Sequence, residues 1–155
     1  MMYSHVGPER IDVAHVTDMV MRVGNGGIAT FVGTVRDVAD GCSVVGLEYS
    51  AYLEMAEKEL ARIVAEAVAT NPDADIAAVH RIGNLAVGDV SIAIAAGHAH
   101  RGPAFDSCRY VIEEAKRRVP IWKRERYASG ESEWVIPTGA AAAPAGSAAV
   151  PIGEG

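Results

Sequence analysis

The sequence predicts an α+β protein that folds as one compact domain. Two segments, Ala51–Ala69 and Pro103–Val119, carry apolar residues at helical spacing, and a proline follows each of them closely. Shorter apolar segments bounded by glycine, asparagine or aspartate have the composition that is typical of strands. With 155 residues, half of them hydrophobic, the chain is long enough for one well-packed core and hardly for two.

A short helix is predicted first. Asp12 is a favourable N-cap residue, and we expect the helix to continue to about Val23, where a glycine-rich segment ends it. Its apolar face would consist of Val13, Val16, Val20 and Val23. The polar segment Met1–Arg10 lacks the apolar centre of a signal peptide, and the chain has no run of 18 apolar residues. We therefore expect a cytoplasmic protein.

A β-hairpin is predicted next. Ile28–Arg36 has the composition of a strand, and Gly33 within it indicates a bulge or a close approach of another group to the backbone. Asp37–Gly41 is predicted to form a turn that leads into a second strand, Ser43–Tyr49, with Val45, Leu47 and Tyr49 on one face.

The long helix Ala51–Ala69 has a predicted buried stripe of Ala56, Leu60, Ile63, Val64 and Ala67. Two strands follow, Ile76–Ile82 and Val90–Ala96, separated by glycine-containing turns. A further helix is expected to begin near Pro103 and to end at Pro120. Its predicted apolar stripe is Phe105, Cys108, Ile112, Ala115 and Val119.

A short last strand is expected at 133–136, and the composition changes after it. From Gly139 onward the chain consists almost entirely of alanine, proline, glycine and other small residues, which bury too little surface to offset the entropy of ordering. We therefore expect a folded domain at 1–138 and a disordered tail at 139–155.

Charge is distributed unevenly along the chain. The net charge of −6 argues against a general nucleic-acid binder. The segment Arg101–Arg126 nevertheless has eight basic and four acidic side chains, a net +4, which leaves −10 for the rest of the chain. A basic segment in an acidic protein favours a local anionic ligand. The alternative is an ordinary solvated helix whose basic residues complement the helix dipole.

The first candidate site is the segment Gly97–Pro103, which follows an apolar strand and opens a helix. The free N–H groups of a helix N-terminus suit a phosphate, to which Arg101 would add a bidentate donor and His100 a proton or a hydrogen bond. The alternative is a polar loop with an incidental His-Arg pair.

The second candidate site combines Lys116 with the segment Pro120–Glu125. The proline would turn the chain so that Lys123 returns toward Lys116, and two close ammonium groups lower each other's pKa. A lysine tuned in this way can act as acid, base or nucleophile, and Trp122 would supply an apolar wall for a flat ligand. Ordinary charge at a helix end, with a tryptophan in the core, is the alternative.

Three weaker candidates remain. Arg36 lies at the end of a glycine-containing strand, where a ligand can approach the backbone. A zinc site from His80, His98, His100 and Cys108 is disfavoured because Cys108 falls on an apolar helix stripe. A catalytic Cys42 is disfavoured because nothing around it in the sequence would activate a thiol.

Taken together, these segments resemble the molybdopterin synthase catalytic (large) subunit family over roughly residues 10–136. The matching pieces occur in family order: 31–36, 47–52, 55–56, 80–83, 87–88, 100–101, and Lys116 with 120–125. The run from Pro120 to Glu125, close after a lysine, is the most specific of these pieces. His98 is an additional histidine to which the resemblance gives no role.

The resemblance implies an α/β-hammerhead-type domain with an antiparallel sheet and an additional small β subdomain. It further implies a homodimer at the centre of a heterotetramer, in which a small ubiquitin-like subunit delivers sulfur from a C-terminal Gly-Gly thiocarboxylate. The implied substrate is cyclic pyranopterin monophosphate, which gains two sulfurs to become molybdopterin, without a cofactor or a metal. The implied catalytic residues are Lys116 and Lys123, and the implied substrate-binding residues are Thr34, Val35, Arg36, His100, Arg101, Lys116, Lys123, Arg124 and Glu125.

Two other functions remain open from the sequence. The first is a phosphate-ester hydrolase that works alone with His100 and Arg101, and the second is a non-catalytic subunit that only binds a partner. A hydrolase would act without any partner protein, whereas a binding subunit would tolerate the loss of both lysines.

Overall fold

The computed structural model describes residues 1–135, which form nine strands and three helices. The expected tail and the final residue of the last predicted strand lie outside the described residues. The elements, in chain order, are β1 Met2–Gly7, α1 Val13–Asp18, β2 Gly27–Thr34, β3 Val38–Ala39, β4 Cys42–Ala51, α2 Leu53–Thr70, β5 Asp75–Arg81, β6 Gly83–Ala86, β7 Val90–His98, α3 Arg101–Arg118, β8 Ile121–Tyr127 and β9 Ser132–Val135.

The first sheet has the strand order β1-β5-β7-β2. The β1–β5 pair is parallel and the other two pairs are antiparallel. Helices α2 and α3 cover one face, where Leu60, Ile63 and Val111 pack against Ile76 and Ile94. Helix α1 covers the other face, where buried alanines of β5 and β7 let the helix approach closely.

The second sheet has the strand order β3-β4-β8-β9. Strand β6 pairs with Gly46–Tyr49 of β4, on the edge opposite β8. The long strand β4 pairs antiparallel with β8, so that Tyr49 lies opposite Lys123 and Leu47 opposite Glu125. Leu47 and Leu85 pack with Val35 in a small core of their own. This sheet agrees with the expected additional β subdomain, and the mixture of helices and largely antiparallel sheet confirms the predicted α+β class.

Several local predictions are confirmed. The Asp12 side chain caps α1 by accepting from the His15 N–H at 3.1 Å. The predicted stripe of α2 is buried at all five positions. Gly33 lies next to a register shift, and a Cβ atom there would lie 2.7 Å from Ile92 Cγ2, which explains why a side chain is not accommodated. Helix α3 ends just before Pro120.

The predicted hairpin between residues 28–36 and 43–49 is wrong. Strand β2 pairs with β7 in the first sheet, whereas β4 belongs to the second. A hairpin does form, but its first strand is the two-residue β3, and its turn is Asp40-Gly41, both with positive φ. The pairing of β4 with β8 skips Val45, which is therefore exposed and does not share the face of Leu47.

Other predictions missed boundaries or whole strands. Helix α1 ends at Asp18, and Val23 is fully exposed. Strands β1, β6 and β8 were not predicted, because their side chains do not alternate regularly between apolar and polar. The predicted apolar stripe of α3 is partly confirmed: Cys108, Ala115 and Val119 are buried. Phe105 is 63% exposed and Ile112 is half-buried, and their neighbours Ala104 and Val111 are buried instead. None of the helices within 1–135 is long and apolar enough to cross a membrane.

A charged network fixes α3 against α2. The Arg118 guanidinium donates to Glu59 at 2.7 Å and to Glu66 at 2.6 Å on α2, and to Glu114 at 3.1 Å on its own helix. Tyr110 also donates to Glu66, at 2.8 Å. The hydrogen bonds from Arg118 and then Tyr110 lower the pKa of Glu66 to about 2. The network holds the end of α3, and thus the residues just beyond it, in place.

Replacing Arg118 by methionine should lower the melting temperature at pH 7 by a few degrees. The folded-state pKa of Glu66 lies below its ordinary value, so the stabilisation is complete above about pH 4.5 and is lost as the pH falls toward about 2. The difference in melting temperature between wild type and Arg118→Met should therefore become smaller as the pH falls over that range, as measured by calorimetry. Arg109→Met, which removes an exposed pair with Glu113, is the control. An unchanged melting temperature, or a deficit independent of pH, would contradict the assigned role.

Candidate active site

Three cationic side chains from separate elements lie close enough for the charges of two of them to act on the third. Arg36 follows the end of β2, Lys116 lies in the last turn of α3, and Lys123 lies on β8. Pro120 separates α3 from β8, so the chain returns along the second sheet as the sequence predicts. The pKa of Lys116 is lowered, first by partial desolvation, then by the charge of Lys123 and then by that of Arg36. We call this group the cationic cluster.

A buried carboxylate adjoins the cationic cluster. Glu125 lies two residues after Lys123 on β8, so both side chains project from the same face of the strand. Lys123 Nζ lies 3.2 Å from Glu125 Oε1, and the Tyr127 hydroxyl donates to Oε2 at 2.8 Å. The bond to Glu125 is the main cause that raises the pKa of Tyr127 to about 12. Glu125, which is 5% exposed, thus fixes Lys123 from inside the sheet.

Two aromatic rings adjoin the lysines on the same side. Tyr49, opposite Lys123 across the β4–β8 pair, contacts the His80 ring edge to face at a centroid distance of 5.2 Å. His80 lies near the end of β5, and its Nδ1 lies 2.9 Å from the Arg81 carbonyl oxygen. Removal of the ring from solvent lowers the pKa of His80 to about 4, and the charge of Lys116 contributes to the shift. The imidazole is therefore neutral near pH 7.

Sequence reasoning missed both aromatic residues as parts of the site. The sequence suggests His80 only as a weak zinc ligand and Tyr49 only as a residue of a strand face. Position in the sequence gives little indication, because Tyr49, His80 and Lys116 are far apart in the chain. The pieces of sequence that match the family contain both residues, and this is the one signal that could have found them.

Two members of the basic segment project from the opposite face of β8. Arg124 forms an ion pair with Glu48 and lies over the Trp134 ring, 5.2 Å from its centroid. Trp122 meets Tyr52 edge to face at 5.1 Å. Strand alternation thus separates both from Lys123 and Glu125, and the expected tryptophan wall beside Lys123 is not present.

The two residues before Arg36 differ in what they offer a ligand. Thr34 is exposed at the end of β2. Val35 is buried, its N–H donates to the Asp89 carbonyl at 3.0 Å, and its own carbonyl accepts from the Gly88 N–H at 2.8 Å. Val35 therefore anchors the chain in the small core and fixes the point from which Arg36 projects.

His100 and Arg101 lie at the other end of α3. They line a shallow depression of about 510 Å³ with Gly26, Ala99 and Pro103. The His98 ring accepts from the His100 N–H at 3.0 Å, so the additional histidine shapes the loop that leads into the helix. The depression has the open helix N-terminus and the arginine expected of a phosphate site.

One chain does not bring all the predicted site residues together. Lys116 lies 15 residues after Arg101 on a continuous helix, which corresponds to about 22 Å along the axis. Strand β2 gives a second measure: Gly27 lies against Arg101 at one end, and Thr34 lies about 23 Å away at the other. The candidate residues therefore form two groups, the cationic cluster and the depression around Arg101.

The two cysteines differ in their surroundings. Cys108 is buried against the sheet, and desolvation raises its pKa to about 11, which disfavours the reactive thiolate. Cys42 is exposed at the beginning of β4. Within residues 1–135, no group of three or more histidine, cysteine, aspartate or glutamate side chains is placed to hold a metal ion.

Comparison with known proteins gives consistent results. The family model described as "MoaE protein" matches residues 6–118. A rice protein (Oryza sativa subsp. indica) named molybdopterin synthase catalytic subunit is 46% identical over 125 residues, which cover 81% of this chain and 65% of the rice protein. The protein of that name from Thermoplasma volcanium is 40% identical over 132 residues, covering 85% of this chain and 96% of the other.

A solved structure shares the fold. The crystal structure of molybdopterin synthase from Staphylococcus aureus contains a chain that superposes with a TM-score of 0.80 at 35% identity, covering 84% of this chain and 95% of that one. The alignment covers nearly all of that bacterial chain, so the two chains share the fold described above.

Proposed function

Because the chain belongs to the MoaE protein family, we propose that it is the catalytic subunit of a molybdopterin synthase. In this proposal it converts cyclic pyranopterin monophosphate to molybdopterin by two successive sulfur transfers. The sulfur comes from the C-terminal thiocarboxylate of a small ubiquitin-like partner, and the reaction takes place in the cytoplasm. The words "catalytic subunit" in the relatives' names imply that those proteins work with a further subunit.

The observation that carries the proposal is the convergence of Arg36, Lys116 and Lys123 in one cluster. The substrate has a cyclic phosphate, and the sulfur donor is itself an anion, so the reaction brings two negative groups together. Cations held in a partly desolvated site offset that repulsion more strongly than cations in bulk water. A site for two anions thus accounts for a cluster whose charges otherwise oppose one another.

The residues of the cationic cluster have different partners, and this suggests a different role for each residue in the reaction. Lys123 is paired with Glu125, which keeps its charge in a fixed position for an anionic ligand. Lys116 has a lowered pKa, so it exchanges a proton more readily than an ordinary lysine. Arg36 would hold the terminal phosphate monoester that stays on the product when water opens one ester bond of the cyclic phosphate.

The separation of about 22 Å between Arg101 and Lys116 bears on the assembly. A small pterin does not span that distance, so His100 and Arg101 would contribute to the same reaction only if a second copy of the chain supplied them. We therefore propose a homodimer in which the α3 N-terminus of one copy lies near the cationic cluster of the other. With one small subunit on each copy, this assembly is the heterotetramer that the family resemblance implies.

Lys116→Ala should abolish formation of the dithiolene product when the chain is mixed with the thiocarboxylated small subunit and the cyclic pterin. The substitution removes the amine that we assign to proton exchange and leaves an exposed helix position, so the melting temperature should change little. Lys58→Ala, at an exposed pair with Glu54 on α2, is the matched control. Retention of more than half the wild-type rate by Lys116→Ala would remove this lysine from the mechanism. Product made without the small subunit would contradict the partner assignment.

Mixing two inactive variants tests the shared site. If each site takes its cluster from one copy and Arg101 from the other, dimers of Lys116→Ala with Arg101→Ala contain one intact site. Co-refolded equal mixtures should then recover about a quarter of the wild-type activity, because half the dimers are mixed and each has one working site of two. Activity no higher than that of the separate variants would show that Arg101 and Lys116 serve the same copy, or that Arg101 has no part in the reaction.

A further inference from the structure

Arg36 is held on both sides by backbone hydrogen bonds. The residue before it, Val35, donates its N–H to the Asp89 carbonyl at 3.0 Å, and its own carbonyl accepts from the Gly88 N–H at 2.8 Å. The carbonyl of the residue after it, Asp37, accepts from a backbone N–H of β4 at 2.8 Å. Arg36 is itself exposed, but its backbone is fixed by its two neighbours, at the point where the chain passes from the first sheet to the second.

The two bonds to Val35 come from the turn between β6 and β7, residues 87–89. Asp89 closes this turn with a reciprocal pair of bonds. Its N–H donates to the Ala86 carbonyl at 3.0 Å, and its carboxylate accepts from the Ala86 N–H at 3.1 Å. Gly88 within the turn has a φ of +87°, which a residue without Cβ adopts readily. Closure of the turn by Asp89 therefore places the two groups that bind Val35.

The same carboxylate attaches the turn to the rest of the domain. Asp89 Oδ2 also accepts from Arg81 Nη1 at 3.1 Å, at the end of β5, and Oδ1 accepts from Arg10 Nη2 at 3.2 Å. The side chains of Asp89 and Arg81 are 17% and 14% exposed, so their ion pair is better shielded from water than the pair with the exposed Arg10. The hydrogen bond from the Ala86 N–H is the main cause that lowers the pKa of Asp89, and the carboxylate is ionised near pH 7.

We propose that Asp89 is a positioning residue for Arg36. Its carboxylate holds the β6–β7 turn in the shape that clamps Val35, and thereby sets where the Arg36 guanidinium meets a phosphate group. The task of Arg36 rests on the proposed function, whereas the hydrogen bonds of the clamp are contacts of the fold. An arginine on a freely moving segment would lose backbone entropy whenever an anion bound. With the backbone fixed beforehand, only the side chain has to be ordered.

The first test strains the turn without changing Asp89. In Gly88→Ala the added methyl group meets no atom within 4 Å beyond its chain neighbours, but alanine disfavours a φ of +87°, so the shape of the turn is disturbed. Gly130→Ala is the matched control, because Gly130 has the same φ and the same open space in the turn between β8 and β9. Both variants should lose a similar amount of stability. Only Gly88→Ala should speed hydrogen exchange of the Val35 amide, and unchanged exchange there would contradict the clamp.

The second test asks whether the turn acts through Arg36. Affinity for inorganic phosphate would be measured by calorimetric titration at low ionic strength, with each change made in the wild type and in Arg36→Ala. Asp89→Ala and Gly88→Ala should each weaken binding about fivefold when Arg36 is present, and less than twofold in Arg36→Ala, where no guanidinium is left to position. Gly130→Ala should not change the affinity. Neither should Asp12→Ala, which also removes a carboxylate that accepts from a backbone N–H, at the cap of α1.

The outcomes separate a positioning role from a purely structural one. An equal loss of phosphate affinity in both backgrounds would show that Asp89 only stabilises the domain, and would overturn the proposal. An unchanged affinity in folded Asp89→Ala would overturn it as well. Asp89→Asn keeps an oxygen that can accept from the Ala86 N–H, so its affinity should stay within about twofold of the wild type. An asparagine variant as weak as Asp89→Ala would contradict closure of the turn as the cause. If Asp89→Ala does not fold, Gly88→Ala decides on the same terms.

The third test concerns the proposed reaction. With the cyclic pterin and the thiocarboxylated small subunit, Asp89→Ala should lower kcat/KM about fivefold when Arg36 is present and less than twofold in Arg36→Ala. A wild type that made no product would refute the proposed function, while the phosphate titration still decided the role of Asp89. A wild type that bound no inorganic phosphate would leave the decision to the kinetic comparison. If it neither bound phosphate nor made product, Arg36 would have no anion to hold and the positioning role would be wrong.

Discussion

The mutual repulsion of Arg36, Lys116 and Lys123 is the constraint on which the rest of the structure around the site depends. Each cation is attached to a different rigid element: the end of β2, the last turn of α3 and the strand β8. Each element is in turn fixed independently of the cluster. The buried Val35 anchors the segment before Arg36, the Arg118 network holds the end of α3, and pairing with β4 holds β8. The folding energy of two cores therefore maintains an arrangement of charges that would separate in a flexible chain.

The sequence predicted the local parts of this structure well and the long-range parts poorly. The buried stripe of α2, the cap of α1 and the end of α3 at Pro120 depend on residues close together in the chain, whose spacing is visible in the sequence. The pairing of β2 with β7 joins segments more than 50 residues apart. The sequence predicted instead that β2 pairs with the next strand along the chain. The parallel strand β1 gave no signal, since its stability comes from β5 rather than from its own composition.

The same difference between local and long-range predictions is seen at the candidate site. Proximity of Lys116 and Lys123 follows from a helix, a proline and a returning strand, all within eight residues. The distance between Arg101 and Lys116 also follows from the sequence, because both lie on one continuous helix. The family resemblance nevertheless assigns both residues to the same substrate site, although they are far apart within one chain. Only the structure places His80 and Tyr49 beside the lysines, because these residues lie on elements that are far apart in the chain. The acidic neighbour that pairs with Lys123, Glu125, lies on the same strand and therefore needed no long-range contact to be found.

The claim that an amine at position 116 takes part in sulfur transfer is tested most directly by removing that amine and restoring it chemically. Lys116→Cys, made in a background of Cys42→Ser and Cys108→Ala, offers a single thiol, and alkylation with 2-bromoethylamine then gives a side chain of lysine length that ends in an amine. The rate of dithiolene formation with the thiocarboxylated small subunit would be measured before and after alkylation. The account predicts an inactive thiol form and recovery of a substantial part of the background rate after alkylation. A fully alkylated, folded protein that stays inactive, or a thiol form that is already active, would contradict it.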